Sequence, residues 1–410
     1  MIDHNENRPG YKKTKVGWLP EEWKVRRLGS ITKFSQYGLS LNSEDKGLTP
    51  LLRMGNIENG KVTYKNLTYV NGVDDECKYL VKANDLLFNR TNSLEHVGKL
   101  GIVTESKKAV FASYLVRFKI DESLALPTFV TYLFNTTESR NRLKKMATPG
   151  VCQYNINQSE LQRHFVIQLP SLNEQKRIAE ILSTWEETIE QTRRLIDAKK
   201  CRKKALMQQL LTGKKRLPEF RKPWKGYNLG QLFHERRETD CGHLPLLAIT
   251  GKNGIIPASD IVRKDSSNKD KSRYKRIAPG DIGYNTMRMW QGVSAVAHLE
   301  GIVSPAYTIC IPKNGVDVNF MGYLFKLPDI IHRFWRFSQG LVNDTLNLKF
   351  HHFSKVKITV PPEDEQHRIA DVLSVADDEI KHLEQKLSAI QKQKRGLMQK
   401  LLTGEVRVKS

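Results

Sequence analysis

The chain has 410 residues, 39% apolar and 27% charged, with 67 Lys and Arg against 44 Asp and Glu and a formal charge of +23. That length exceeds one ordinary core and predicts about two to four units, and the positive surplus points to a polyanionic partner, nucleic acid ahead of a membrane surface. No apolar run of about 18 residues exists to span a bilayer, residues 1–15 lack the apolar core of a secretory signal, and the five cysteines form no C-x-x-C pair, which argues against a zinc knuckle or disulfide framework and fits a reducing cytoplasm.

In chain order, residues 1–170 read as a first lobe of mixed helix and strand. It opens on EEWKVRRLGSI at 21–31 and continues through KANDLLFNRT at 82–91 and the β-rich runs GKLGIVTE and AVFASYLVRFKI. A helical run at 127–146, TPGVCQYNIN at 148–157 and a short apolar strand, FVIQLP, complete it. Residues 171–213 predict a long helix. Ser171-x-x-Glu174 has the spacing of a capping box. Ile178, Leu182, Trp185, Ile189, Ile196, Leu206 and Leu210 fall on a heptad seam in which Thr192, Lys199 and Lys203 are polar members. Gly213 stands where glycine relieves the left-handed stop of a helix.

Residues 214–362 repeat the lobe in outline. KPWKGYNLGQL at 222–232 matches the first opening, IAPGDIGYNT at 277–286 matches KANDLLFNRT, FMGYLFKLPDIIHRFWRFS at 320–338 is again a helical run, and SQGLVNDTLN at 338–347 matches TPGVCQYNIN. Residues 363–404 predict a second long helix with Ile369, Leu373, Ile380, Leu383, Leu387, Ile390, Leu397 and Leu401 on its seam, Lys394 interrupting it and Gly404 ending it. Shifted by 191 positions, EQKRIAEILS falls on EQHRIADVLS and LMQQLLTG on LMQKLLTG; 17 of 40 aligned residues are identical without a gap. This is an internal duplication.

The fold class that follows is α+β: two globular lobes, related by an approximate two-fold axis, separated by an antiparallel coiled coil of two helices about 60 Å long. Each helix is the obvious partner for the other, because a tethered partner has the higher effective concentration. Lys203 and Lys394 correspond in the repeat and either fix register as buried polar positions or snorkel to solvent. Trp185 is either core or a docking residue. The run KKCRKK at 199–204 and residues 214–216 are either a solvated face or a contact for DNA or a protein partner.

The helices remain close copies while the lobes have drifted apart. A symmetric reader binds a palindrome, so dissimilar heads on a symmetric scaffold predict a split, asymmetric site. Base edges take Arg, Lys, Asn and Gln, and phosphates take Arg, Lys and backbone amides. The polar clusters that follow turn signals are the DNA-contact candidates. They are Asn89, Arg90, Asn92, Gln153, Tyr154 and Asn155 in the first lobe, and Asn285, Arg288, Gln291, Asn343 and Thr345 in the second. They lie in landmarks both lobes share, so some of them grip phosphate or hold the fold. No P-loop, dinucleotide fingerprint or Asn/Asp-Pro-Pro-aromatic tetrapeptide is present, and no catalytic residue or metal ligand is expected. Asp85 with Glu105 and Lys107 is a chance-level nuclease set in so charged a chain, and His351-His352 lacks a third ligand nearby.

Together these residues resemble the specificity subunit of type I restriction–modification systems across nearly the whole chain. The carriers are Gly17-Trp18-Leu19-Pro20 through Leu28-Gly29, residues 84–90, Gly280-Asp281-Ile282, the two Glu-Gln-x-Arg-Ile-Ala helix starts and the two Leu-Leu-Thr-Gly ends. The resemblance implies two target-recognition domains that each read half of a bipartite DNA sequence. It implies spacer helices that fix the gap and bind two methyltransferase subunits, and motor–nuclease subunits that complete the restricting complex. It implies that this chain carries no cofactor, methyl transfer from S-adenosylmethionine to adenine occurring in the partner, in a bacterial or archaeal cytoplasm. Asn84 replaces the glycine that Gly280 supplies, and asparagine tolerates the left-handed turn. The rival readings are a stand-alone DNA-binding regulator, a coiled-coil adaptor that does not read sequence, and an enzyme carrying its own nuclease.

Overall fold

A computed structural model describes residues 5–73, 75–151, 153–251, 253–260, 270–342 and 345–408. The chain forms two compact units, and neither is a continuous stretch of lobe followed by helix. The first joins residues 1–192 to 386–410; the second is residues 193–385. The two long helices, Leu172–Leu210 and Glu363–Leu402, each contribute one half to each unit. No described helix is long and apolar enough to cross a membrane.

In the first unit a six-stranded sheet runs in the order Thr32–Tyr37, Leu115–Ile120, Leu86–Asn89, Leu100–Ile102, Lys61–Val62, Ile57–Glu58. All its pairings are antiparallel except that of Leu100–Ile102 with Lys61–Val62. The helical run at 127–146 is two helices, Pro127–Phe134 and Thr137–Met146, because the Thr136 hydroxyl caps the second by accepting from the Ser139 amide. Their apolar faces and the sheet enclose Phe88, Phe118, Phe129, Phe134 and Phe165, and Ile178, Leu182 and Leu401 of the long helices enter the same core. Each such aliphatic side chain contributes about 1.5–3 kcal/mol when fully buried.

The second unit uses the same parts. Its central sheet runs Phe233–Glu235, Tyr307–Pro312, Ile282–Asn285, Ser294–Val296. The helices Val318–Leu324 and Pro328–Phe337 again replace one helical run, here broken at Leu327-Pro328. Leu210, Leu211, Ile369 and Leu373 enter a core built on Phe233, Tyr284, Phe320, Phe325, Phe334 and Phe353. Asn84 and Gly280 both take left-handed backbone, φ 69° and 89°, and both precede a buried aspartate. Asp85 accepts from the Lys82 amide and Asp281 from the Ala278 amide. The arginine that neutralises this aspartate comes from different strands. Arg117 of Leu115–Ile120 meets Asp85 at 3.3 Å and also Gln36, its cross-strand neighbour. In the second unit Ile309 holds the Arg117 position, and Arg236, in the Gln36 position, forks onto Asp281 at 2.8 and 3.0 Å.

Within each unit the two helix segments run antiparallel. In the first unit Lys394, late in its helix, bonds Glu186, early in the other, at 2.7 Å. In the second Lys203 bonds Asp377 at 2.5 Å and Lys200 bonds Glu384 at 2.6 Å. Each repeated lysine also lies over a tyrosine ring, Lys394 over Tyr132 and Lys203 over Tyr323. The seam lysines are therefore ion-paired rather than free. Lys199 likewise reaches Glu379, so the run 199–204 is largely a helix-to-helix bridge. Among the seam residues Ile178, Leu182, Ile189, Ile196, Leu210, Ile369, Leu373, Ile380 and Leu401 are buried. Trp185, Leu206, Leu383, Leu387, Ile390 and Leu397 are half-buried.

The duplicated Glu-Gln pair joins each lobe to its helices. Glu174 is 3% exposed and Glu365 is fully buried. The Trp23 indole donates to Glu174 at 3.2 Å, and Arg407, just past the end of the second helix, forks onto it at 2.8 and 3.0 Å. Trp224 donates to Glu365 at 3.3 Å, and Arg216, just past the end of the first helix, forks onto it at 3.0 and 2.6 Å. The Ser171 hydroxyl accepts from the Glu174 amide at 3.3 Å, but the Glu174 carboxylate serves this clamp instead of closing a capping box. Gln175 and Gln366 are equally spent: each accepts one lobe amide, Leu126 or Asp317, and donates to the proline carbonyl ahead of its helix. Gly213 and Gly404, at φ 70° and 71°, turn the chain so that the two arginines can reach back.

A buried carboxylate that loses its only guanidinium keeps an uncompensated charge. Arg407→Ala is expected to destabilise the first unit, and Arg216→Ala the second, by roughly 3 kcal/mol each, read as the loss of one transition in urea unfolding. A change below about 1 kcal/mol, the range of exposed pairs, would show that the clamp is ornamental.

Candidate nucleic-acid interface

The strand Leu86–Asn89 leads straight into the first unit's polar cluster. Asn89 itself is fully buried, with its amide nitrogen on the His96 carbonyl at 3.4 Å. It holds the loop after the strand and is not available to DNA, which corrects its candidacy. Arg90, Thr91 and Asn92 then leave the main sheet and pair with the hairpin that follows the helices. Thr91 opposes Asn155 and Asn92 opposes Tyr154, and Tyr154–Asn155 pairs onward with Thr148–Pro149. Two clusters far apart in sequence thus become one small sheet.

The side chains there are partly exposed and partly committed. Asn155 Oδ1 accepts from Arg90 Nε at 3.1 Å and from the Thr91 hydroxyl at 3.2 Å. The Arg90 guanidinium lies 4.9 Å from the Tyr37 ring centroid, which fixes its plane. Among the described residues its terminal nitrogens and the Asn155 amide nitrogen have no hydrogen-bond partner, and such donors can read acceptor edges in a major groove. Asn92 is spent locally, on the Met54 sulfur at 3.0 Å and on the Ser93 amide at 2.8 Å. Gln153 is exposed and Tyr154 half-buried. Tyr37 is 41% exposed, and with Ser35 it lies on one face of Thr32–Tyr37; Gln158 bonds Ser35 on that face. Strand alternation alone places Ser35 and Tyr37 together, yet Tyr37 and Gln158 are not among the sequence candidates.

The second unit makes the equivalent junction with other residues. The Ile156 amide donates to the Arg90 carbonyl at 2.9 Å, and the Leu348 amide donates to the Thr286 carbonyl at 2.8 Å. The bridges Thr148 to Asn155 and Gln339 to Asn347 show that the second hairpin is one residue longer. Asn347 therefore answers to Asn155, and not to Asn157 as matching letters suggest. Asn285 is a turn former: its side-chain oxygen accepts from the Met287 amide at 3.0 Å. Arg288 and Gln291 are exposed on the short turn Met289–Gln291. Thr345 is exposed with its hydroxyl on the Val342 carbonyl at 3.0 Å, and Asn343 lies outside the described residues. No His, Cys, Asp or Glu cluster fit for a metal occurs among the described residues.

One residue holds the second unit's turn. Lys326 Nζ donates to the Gly292 carbonyl at 2.8 Å and to the Ser294 carbonyl at 2.5 Å. In the first unit Asn135 does the lesser version, bonding the Leu100 carbonyl at 2.9 Å. Burial pushes the Lys326 ammonium down to about 8 from the ordinary 10.5. Between those values the unfolded chain holds a proton that the native site has released, so stability from this group rises with pH. Urea midpoints of the second unit are expected to climb from pH 8 to 10 in the natural chain and to climb less in Lys326→Met; equal slopes would contradict the assignment.

The family profile described as "Type I restriction modification DNA specificity domain" matches twice, at residues 20–198 and 222–392. The specificity subunit of the type I restriction enzyme MjaX of Methanocaldococcus jannaschii is 28% identical over 98% of this chain and 97% of its own. The MjaVIII specificity subunit of the same organism is 23% identical over 96% and 95%. The crystal structure of the type I restriction–modification S subunit from M. genitalium shares the fold, with a TM-score of 0.57 at 17% identity over 93% of this chain and 96% of that one. The duplicated frame and its two matched segments place this chain in the type I restriction–modification specificity-subunit family, whose task is DNA sequence recognition.

Proposed function

We propose that each unit reads one half of an asymmetric, bipartite duplex DNA target, and that the two long helices set the gap between the halves and dock two methyltransferase subunits. This chain does no covalent chemistry in that scheme. The methyltransferase binds S-adenosylmethionine and methylates adenine, motor–nuclease subunits add restriction, and the complex works in the cytoplasm.

The observation that carries the reading is one junction built twice around a shared asparagine, Asn155 or Asn347, with other side chains exchanged. The strand end, the hairpin and the amide-to-carbonyl bond between them recur in both units. On that junction the first unit presents Arg90, Tyr37 and Asn155, and the second presents Asn347 and Thr345, with Arg288 and Gln291 on the turn beyond its strand. A conserved frame with exchanged donors suits two heads that read different bases. The ion-paired helices of the frame suit a ruler, since 1.5 Å of rise per residue makes one heptad about 10 Å, or about three base pairs.

Two outcomes follow for the assembled methyltransferase. Arg90→Ala is expected to cost about 1–3 kcal/mol on the target and to relax sequence preference in one half only, read by sequencing methylated adenines; relaxation in both halves, or in neither, would refute its role. Inserting a matched heptad into both helices is expected to lengthen the gap and keep both half-sites. A variant that methylates at the old spacing would end the ruler account.

A further inference from the structure

The first unit carries cations that its duplicated frame does not need. The hairpin of Tyr11–Thr14 with Gly17–Pro20 and the neighbouring strand Lys24–Arg27 border an open cleft of about 740 Å³. Lys12, Lys15, Lys24, Arg26 and Arg27 line it, with Glu21 and Glu22 as its carboxylates. Glu22 is already held by Arg407 at 2.6 Å, and Lys12 bonds the Glu21 carbonyl. Lys15, Lys24, Arg26 and Arg27 are exposed and have no side-chain partner among the described residues.

The second unit shows that the strand folds without the two arginines. Lys24–Arg27 pairs with Val166–Leu169, and Lys225–Asn228 pairs with Lys357–Val360 in the same register. There Lys225 answers to Lys24, but Tyr227 and Asn228 stand at the positions of Arg26 and Arg27. The basic ribbon is thus an addition to one unit. It also leads to the reading junction: Arg27 passes through the short helix Leu28–Ile31 into Thr32–Tyr37, the strand that carries Tyr37 beneath Arg90.

We propose that this ribbon grips the phosphate backbone of duplex DNA flanking the half-site of the first unit, without reading sequence; the proposal rests on that unit reading a half-site. Lys24 and Arg26 are alternate residues of one strand, about 6.6–6.8 Å apart, so these two can take separate phosphates. Lysine is depleted at the cores of protein interfaces, and the only apolar side chains among the lining residues are Trp23, which is buried, Val25 and Val166. Phosphates, by contrast, are taken by Lys and Arg wherever they run along a backbone.

The test uses the complete methyltransferase complex and replaces two residues by those the second unit already uses, Arg26→Tyr with Arg27→Asn. A second variant, Lys15→Gln with Lys24→Gln, removes the charge and keeps the side-chain bulk. Affinity is measured against salt on a target duplex with and without about ten flanking base pairs on the first unit's side. Each variant is expected to lower the slope of log affinity against log salt by about 2 on the long duplex and by nothing on the trimmed one, with the methylated sequence unchanged. An unchanged slope on the long duplex, or loss of methyltransferase assembly in place of DNA affinity, overturns the proposal and leaves the half-site reading intact. Salt-independent binding by the natural complex overturns both.

Discussion

Glu174 and Glu365 are buried carboxylates at the first turns of the two long helices, and each is neutralised by an arginine from beyond the end of the other helix. A carboxylate so deep needs a paired counter-charge, so the first unit is complete only with Arg407 in place. The tryptophan that donates to each carboxylate belongs to the lobe, Trp23 or Trp224. One triad therefore ties lobe, helix start and helix end together. It also explains the division into units: residues 386–410 join residues 1–192 because Arg407, Leu401 and Lys394 are spent there. The pairing of the helices follows, since the clamp and the lysine bridges fix direction and register at points along the seam.

With the frame held this way, the reading residues are free to change. The buried aspartate of each lobe keeps its arginine even though Arg117 and Arg236 come from different strands, so the electrostatic requirement survives while the sequence moves. At the hairpin junction the backbone bond and one asparagine, Asn155 or Asn347, are common to both units; the other side chains on it differ. Evolution of specificity on such a frame needs no change in the helices. The basic ribbon, in the role proposed for it, would add a sequence-independent, salt-sensitive term to the first unit alone.

The helices, their stops and their mutual pairing were legible in the sequence, because heptad period, terminal glycine and an ungapped duplication are local signals. The lobes were less so. Helical runs were recognised, but the breaks at Thr136 and Pro328 divided each in two. Asn89 was read as a contact because polar residues after a turn are usually exposed, whereas its side chain closes the loop on His96. Tyr37 and Gln158 were missed because their partners lie on other strands and helices, and strand pairing is non-local. The cationic run 199–204 reads as a solvated face or as a contact for DNA or a partner only while the acidic partners of Lys199, Lys200 and Lys203, on the other helix, are out of view. Arg216 and Arg407 carried a signal that went unread: both follow the glycine stop at the same spacing.

The central claim is that two different heads on one duplicated frame read one split target. The most direct measurement is a genome-wide map of methylated adenines in the host with this gene intact and deleted. The account predicts that deletion removes a single motif of two short, dissimilar halves around a fixed gap. Loss of a palindrome or of a continuous motif, or a map that does not change while the methyltransferase is expressed, would contradict it.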